Sequence, residues 1–210
     1  MSTATTSSAV READSAAQAP PDKREAILDA ALALFSERTF EGTAVPLIAE
    51  RAGVAAGTIY RYFADKEDLV NAVYQRAKTG MRDAILAEIP EGAAPRVAFH
   101  HIWRGLWRFA ATQPDSFGFL ETHHHQPYLN DASHAIAGEI DAAVTAFVRG
   151  AQAAGAMRDA PPQMLVAIVF GAFVGLVKSA SPEPLAWDED VIAESEACMW
   201  AAVGNGAPAQ

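Results

Sequence analysis

Val45 to Phe63 reads VPLIAERAGVAAGTIYRYF, and two short helical patterns lie in it, separated by a glycine. The first runs from about Val45 to Ala52, with Leu47, Ile48 and Ala52 on one face. Gly53 follows the last periodic residue, where a helix most easily turns left-handed and stops. Val54 is apolar and fits the corner between the two patterns. The second runs from about Ala56 to Phe63, with Ile59 and Phe63 four apart and turned inward. That leaves Thr58, Tyr60, Arg61 and Tyr62 facing outward. A helix, a tight turn and a short helix with a polar and aromatic outer face make a helix-turn-helix pattern. Its second helix is sized for the major groove of DNA.

The helical patterns on either side supply a core for this unit. Before it, Ile27, Ala30, Ala31, Leu34 and Phe35 recur at three and four residues in a helix from about Asp22 to Arg38. Phe40 and Val45 close that core, Gly42 marks the turn, and Pro46 is tolerated in the first turn of the next helix. After it, Asp65 is an N-cap candidate, and Lys66 begins a long helix to about Ile89 whose buried side is Leu69, Val70, Val73, Ala77, Met81 and Ile85. A single rigid helix leaving the unit gives a route for mechanical coupling.

Taken together, Thr43, Ile48-Ala49, Ala52-Gly53-Val54, Gly57, Tyr60, Tyr62-Phe63 and Lys66 resemble, in type and spacing, the TetR family of bacterial transcription regulators. The resemblance covers Lys23 to about Tyr74. It implies that Tyr60, Tyr62 and Lys66 meet DNA phosphates, that Thr58 and Arg61 reach base edges, and that Gly57 allows close backbone approach. Thr43 and Ala55 would also lie at the DNA. Ala44 and Ala55 depart from the pattern, standing where the family usually has Thr or Ser. Both look like N-caps, where alanine costs about 1 kcal/mol relative to a hydroxyl residue.

Charge is the first objection to a DNA-binding reading, since the net charge is −10. It is unevenly spread. Asp22 to Lys78 carries eight Lys or Arg and nine Asp or Glu, whereas Gly80 onward carries seven basic and fifteen acidic residues. Nucleic-acid binding needs a local positive face rather than a basic chain, and here Lys23, Arg24, Arg61 and Lys66 must supply it.

The rest of the chain stays helical. Arg96 to Thr112 holds Val97, Ile102, Trp103, Leu106, Trp107 and Phe109, and Pro114 ends it. A shorter amphipathic piece covers Phe117 to His125, and a long one runs from Asn130 to Ala154 with Gly155 as its stop. Helices over about Pro162 to Ser179 and Asp188 to Val203 follow, separated by a loop with Pro182 and Pro184. No stretch alternates with period two, so the fold class is all-α with about nine helices. The expected domains are a disordered tail over 1–21, a helix-turn-helix domain over 22–70, a ligand-binding and dimerisation domain over 71–204, and a tail over 205–210.

Half the residues are hydrophobic, enough for a sizeable core. The N-terminal MSTATTSSAVREADSAAQAPP has no apolar stretch of the kind a signal peptide needs. The apolar run from Met164 to Val177 is short for a bilayer. A cytoplasmic protein with no membrane partner is expected. The lone Cys198 excludes an internal disulfide and reads as a packing residue.

Aromatic residues cluster in the middle of the chain and read either as plain core or as the wall of a cavity, because ligand sites are mainly apolar with a few polar groups. Trp103, Trp107, Phe119, His123, Phe147 and Phe170 are the candidate ligand residues, with Arg104, Arg108, Glu121, Gln126 and Asn130 as polar partners. Val169, Gly171, Phe173 and Gly175, with Trp200 of the last helix, read as a central core helix or as a subunit interface; the family resemblance favours the interface. All six histidines fall between His100 and His134. No Cys or regularly spaced carboxylate completes a metal set with them, so no metal, cofactor or catalytic residue is assigned.

The expected function is a ligand-responsive, dimeric repressor whose partners are double-stranded operator DNA, a small apolar molecule and a second copy of the chain. The competing readings are an all-α enzyme or metal-binding protein using the His100–His134 region, and a helical interaction module. The enzyme reading lacks a nucleophile–base pair. The module reading leaves the outward Thr58, Tyr60, Arg61, Tyr62 and Lys66 unexplained.

Overall fold

The computed structural model describes residues 22–122, 125, 127–179 and 188–206. The expected disordered tail over 1–21 lies outside these residues, as do His123 and Gln126. Nine helices run through the described residues: α1 Lys23–Glu37, α2 Val45–Arg51, α3 Ala56–Ile59, α4 Lys66–Leu86, α5 Pro95–Thr112, α6 Pro114–Thr122, α7 Asp131–Ala153, α8 Pro162–Ser179 and α9 Glu189–Val203. No strand occurs among them; Met157 and Gly204 form an isolated bridge.

The first three helices and the start of α4 share one core, in which Ile27, Phe35, Ile48, Ile59, Leu69 and Val73 are fully or almost fully buried. The α2–α3 corner closes as its residues dictate. Ala52 is the C-cap and Gly53 takes φ +66. The Val54 N–H reaches back to the Ala49 carbonyl at 3.0 Å. A left-handed residue there permits the two-bond helix stop. Ala44 and Ala55 are the N-caps of α2 and α3, and neither makes a side-chain capping bond. The regular part of α3 is shorter than its periodicity suggests. After Ile59 the chain winds on through turns, with Tyr62 and Phe63 N–H groups on the Ile59 carbonyl at 3.0 Å.

The long helix α4 continues from this core into the larger domain, where it lies against α5 and α7. α6 packs back on α1, bringing Phe119 onto Phe35 with ring centroids 6.1 Å apart. Pro114 opens α6 instead of merely ending α5, consistent with the tolerance of proline in a first helical turn. α8 and α9 form one side of the domain. The end of α9 is tied down: Gly204 is buried, and the Asn205 N–H donates to the Ala156 carbonyl at 3.0 Å.

By length and composition alone, α8 could cross a membrane. Within the fold it packs between α7 and α9, yet only Leu165 and Phe173 of its residues are buried. Among the described residues, an apolar stripe of α8 with Met164 and Ile168 is left exposed.

Candidate DNA interface and ligand cavity

The outer face of the helix-turn-helix carries Tyr60 at 56% and Tyr62 at 43% exposure, large aromatic side chains with little packing in the chain itself. Gly57 and Arg61 are exposed and Thr58 is half-buried between them. A Cβ on Gly57 would meet nothing, so another backbone can approach there. Among the described residues Arg61 forms no ion pair, whereas Arg51 is paired with Glu37 at 2.7 Å and Arg24 with Glu25 at 3.0 Å.

Two residues expected at the DNA point inward instead. Thr43 is fully buried, and its hydroxyl donates to the Thr39 carbonyl at 3.0 Å. Its side chain pins the α1–α2 turn and cannot reach a phosphate from that position. Lys66 turns its ammonium back onto the Phe40 carbonyl and over the Phe40 ring at 4.2 Å. Burial pulls the Lys66 pKa below its ordinary value, with Glu41 opposing. The N-terminus of α4 is also occupied. Asp65 accepts from the Asp68 N–H at 2.8 Å, and Asp68 accepts from the Ala64 N–H at 3.0 Å, a reciprocal capping arrangement that satisfies two orphan donors.

The ligand candidates divide between core and cavity. A cavity of about 1010 Å³ lies among α4, α5, α7 and α8, with Phe147 and Phe170 on its wall. Trp103, Trp107 and Phe119 do not line it. Phe119 is buried against Phe35. Trp103 and Trp107 pack edge-on to Phe173, with centroids 5.9 and 5.4 Å away. Helix α5 presents two adjacent apolar stripes: Phe99, Ile102 and Leu106 face the cavity, and the tryptophans face the neighbouring core. Nothing in the sequence separates these stripes, because both follow the helical period.

The cavity wall is mostly aliphatic, including Met81, Ile85, Ile140 and Val144, but Lys78, Asp141, Arg149 and Gln163 also reach it. Lys78 is half-buried, rests over the Tyr74 ring at 5.8 Å, and has its pKa pulled down by burial despite Glu121 and Asp141. Lys78 was missed by sequence reasoning; its place beside the buried Ala77 and one turn before the buried Met81 was the available signal.

A second depression, about 450 Å³, lies between α5 and α9 and includes His100, His101, Arg104, Trp107 and Arg108. Its cations are already engaged. Arg108 meets Glu88 at 2.6 Å, Arg104 pairs with Glu189, and the buried Glu196 takes Arg96 and the His100 ring, the latter at 2.9 Å. Asn130, another expected ligand group, caps α7 by accepting from the Ser133 N–H at 3.0 Å. His125 donates from Nε2 to the Phe119 carbonyl at 2.8 Å and accepts at Nδ1 from the Tyr128 hydroxyl at 2.7 Å. Among the described residues no group of three His, Cys, Asp or Glu could hold a metal.

The residues read as a subunit interface also divide. Phe173 is fully buried within the chain, Val169 lines the cavity, and Trp200 packs on Phe99 at 5.2 Å. Gly171 and Gly175 are exposed, and a Cβ on either would meet nothing. They continue a stripe with Met164 and Ile168, exposed to 47% and 44%. Cys198, read as a packing residue, is exposed on α9.

Comparison with known proteins follows the same division. Residues 27–73 match the family described as bacterial regulatory proteins, tetR family, and residues 74–205 match the tetracyclin repressor-like C-terminal domain. The HTH-type transcriptional repressor KstR of Rhodococcus jostii is 43% identical over 65 residues, 31% of each chain. The HTH-type transcriptional regulator BetI of Escherichia coli is 35% identical over 77 residues, 35% of this chain and 40% of its own. The matches thus span about a third of the length of these curated relatives. A TetR family transcription regulator from Marinobacter aquaeolei superposes with TM-score 0.78 at 25% identity, covering 87% of this chain and 95% of that one.

Proposed function

The chain belongs to the TetR family, whose members are DNA-binding transcription regulators and not enzymes, and from that premise we propose that it is a cytoplasmic, homodimeric repressor released from operator DNA by a small, largely apolar molecule. The observation that carries this reading is the course of α4. Its first turns hold Leu69, Val70 and Val73 in the core of the DNA-binding unit. Two turns later Lys78, Met81 and Ile85 form the floor of the cavity. A molecule that reshapes the cavity must displace a helix whose other end seats the recognition helix.

The uncovered apolar stripe of α8, beside the exposed small residues of α9, supports assembly through these two helices. Two copies would hold their recognition helices about 34–36 Å apart, matched to successive major grooves. A ligand favouring a wider or skewed state would then prevent both from docking. It shifts that equilibrium only by its difference in affinity for the two states, and DNA must weaken ligand binding by the same factor.

Tyr60 and Tyr62 would position the protein on phosphates, with Arg61 and Thr58 reading base edges. The test is a mobility shift with DNA upstream of the protein's own gene, repeated with candidate ligands. Retardation that a ligand reverses supports the reading. Absence of any sequence-selective complex at micromolar protein would remove it.

A further inference from the structure

We infer that the cavity takes a long-chain amphiphile with an anionic head, and that the Lys78 ammonium receives the head. The inference rests on the reading of this cavity as the effector site and adds the chemical class of the effector. The cavity stands at the upper end of the ~300–1,000 Å³ typical of ligand pockets. Its aliphatic wall, with Met81, Ile85, Leu106, Ile140 and Val144 prominent, suits a hydrocarbon chain.

Lys78 is the group that this wall does not explain. It is half-buried on α4, it lines the cavity, and no carboxylate lies within ion-pair distance of it among the described residues. Its neighbour is the Tyr74 ring. A buried charge is retained at a cost unless it is paired, and an anion in the cavity would pair it. The acidic groups nearby do not take the place of an anionic head beside Lys78. Glu121 is not on the wall, and burial pushes its pKa upward. Asp141 reaches the wall but is exposed to solvent. Arg149, the other cation at the cavity, is exposed as well. The second depression offers no rival for the head, because its arginines already hold Glu88 and Glu189.

The experiment compares dodecanoate, dodecanol and dodecyltrimethylammonium, each below its micelle concentration, by isothermal titration of the full chain. Dodecanoate should bind at least about tenfold more tightly than the alcohol, the worth of one charge-assisted contact. Lys78→Met should abolish that preference, bringing dodecanoate to the affinity that dodecanol shows for the same variant. Lys78→Arg, which keeps the cation, should retain it, and a thermal melt confirms that both variants fold. Equal affinity for acid and alcohol, a preference for the ammonium compound, or a preference for dodecanoate that survives Lys78→Met overturns the inference. The effector reading fails separately. If dodecanoate binds through Lys78 but leaves operator affinity unchanged, the ligand class stands and the switch does not. If another molecule releases the operator while dodecanoate does not bind, the switch stands and this class falls.

Discussion

Gly105 of α5 crosses α4 so closely that a Cβ built on it would stand 2.3 Å from the Ala84 carbonyl oxygen and 2.8 Å from the Ile85 Cα. Only a hydrogen fits between these two backbones. The contact fixes the height of α5 on the helix that joins the two domains. It stands beside Ile85 and Leu106, both on the cavity wall.

Gly105→Ala should therefore force the α4 and α5 backbones apart, since no flexible side chain can yield. Overpacking of this kind costs about 1–3 kcal/mol, measurable by urea unfolding. The same tilt of α4 should weaken operator binding. Gly138→Ala, an exposed mid-helix site on α7, is the control, because a Cβ there meets nothing within 4 Å among the described residues. Equal stability of the two variants would mean that the α4–α5 crossing yields to a methyl group.

Asn71 joins α4 to the start of α7 through all of its polar atoms. Its Nδ2 donates to the Glu67 and Tyr128 carbonyls, each at 2.8 Å. Its Oδ1 accepts from the Asn130 N–H at 2.9 Å and the Ser133 hydroxyl at 2.7 Å. Asn71→Leu conserves shape but strands buried donors and acceptors, so it should cost about 2–4 kcal/mol. A loss below roughly 0.5 kcal/mol, the low end for a single hydrogen bond, would show that water replaces the network.

Such contacts mark where the sequence stops being readable. Helix positions followed from apolar periodicity, and the α2–α3 corner from Gly53, because both are local. Thr43 and Lys66 read as outward because they stand among family positions. Their true partners, the Thr39 and Phe40 carbonyls, lie in a loop whose path the tertiary fold decides. Phe173 read as interface and Trp103 as cavity wall for the same reason. A helical period tells which residues share a stripe, but not which of two apolar stripes meets core, cavity or a second subunit.

Arg61 and Lys66 should now separate in a DNA titration. Arg61 is exposed and unpaired among the described residues, so Arg61→Ala should cost about 1–3 kcal/mol on the operator and relax discrimination at one base pair. Lys66→Met should instead lower stability by about 1 kcal/mol, the worth of one hydrogen bond, with the salt slope of DNA binding unchanged. A slope reduced by about one unit with stability intact would mean that Lys66 leaves Phe40 for a phosphate in the complex.

Alkaline titration tests Tyr128, whose ring stacks on Phe40 with centroids 4.6 Å apart. Burial, with Glu41 and Tyr74 adding to it, pushes the Tyr128 phenol up to about 12. An unfolded tyrosine ionises near pH 10. Between these values the folded state keeps a proton that the unfolded state has lost. The stability that this supplies is complete below about pH 10 and disappears as pH approaches about 12. Tyr128→Phe should cost about 1 kcal/mol at neutral pH by removing the bond to His125. It should also flatten the fall in stability across that alkaline window. A curve parallel to that of the unaltered protein would assign the fall to other groups, such as Tyr74, whose pKa is raised in the same direction.

Gly175 offers a test of assembly that leaves the subunit alone. The usual difficulty with interface variants is that a bulky residue also damages the fold. Here a Cβ on Gly175 meets nothing within 4 Å, and the residue is exposed on the same stripe as Met164 and Ile168. Gly175→Phe should leave the subunit's circular dichroism unchanged. If α8 is the contact, the ring must collide with the partner's helix, and sedimentation should show a shift from dimer towards monomer. Operator affinity should fall with it, because a monomer brings one recognition helix instead of two. Ligand binding measured on the same variant should survive, since Gly175 does not line the cavity. A Gly175→Phe protein that sediments as an unchanged dimer would place the interface on another surface. The exposed apolar stripe of α8 would then need a different partner.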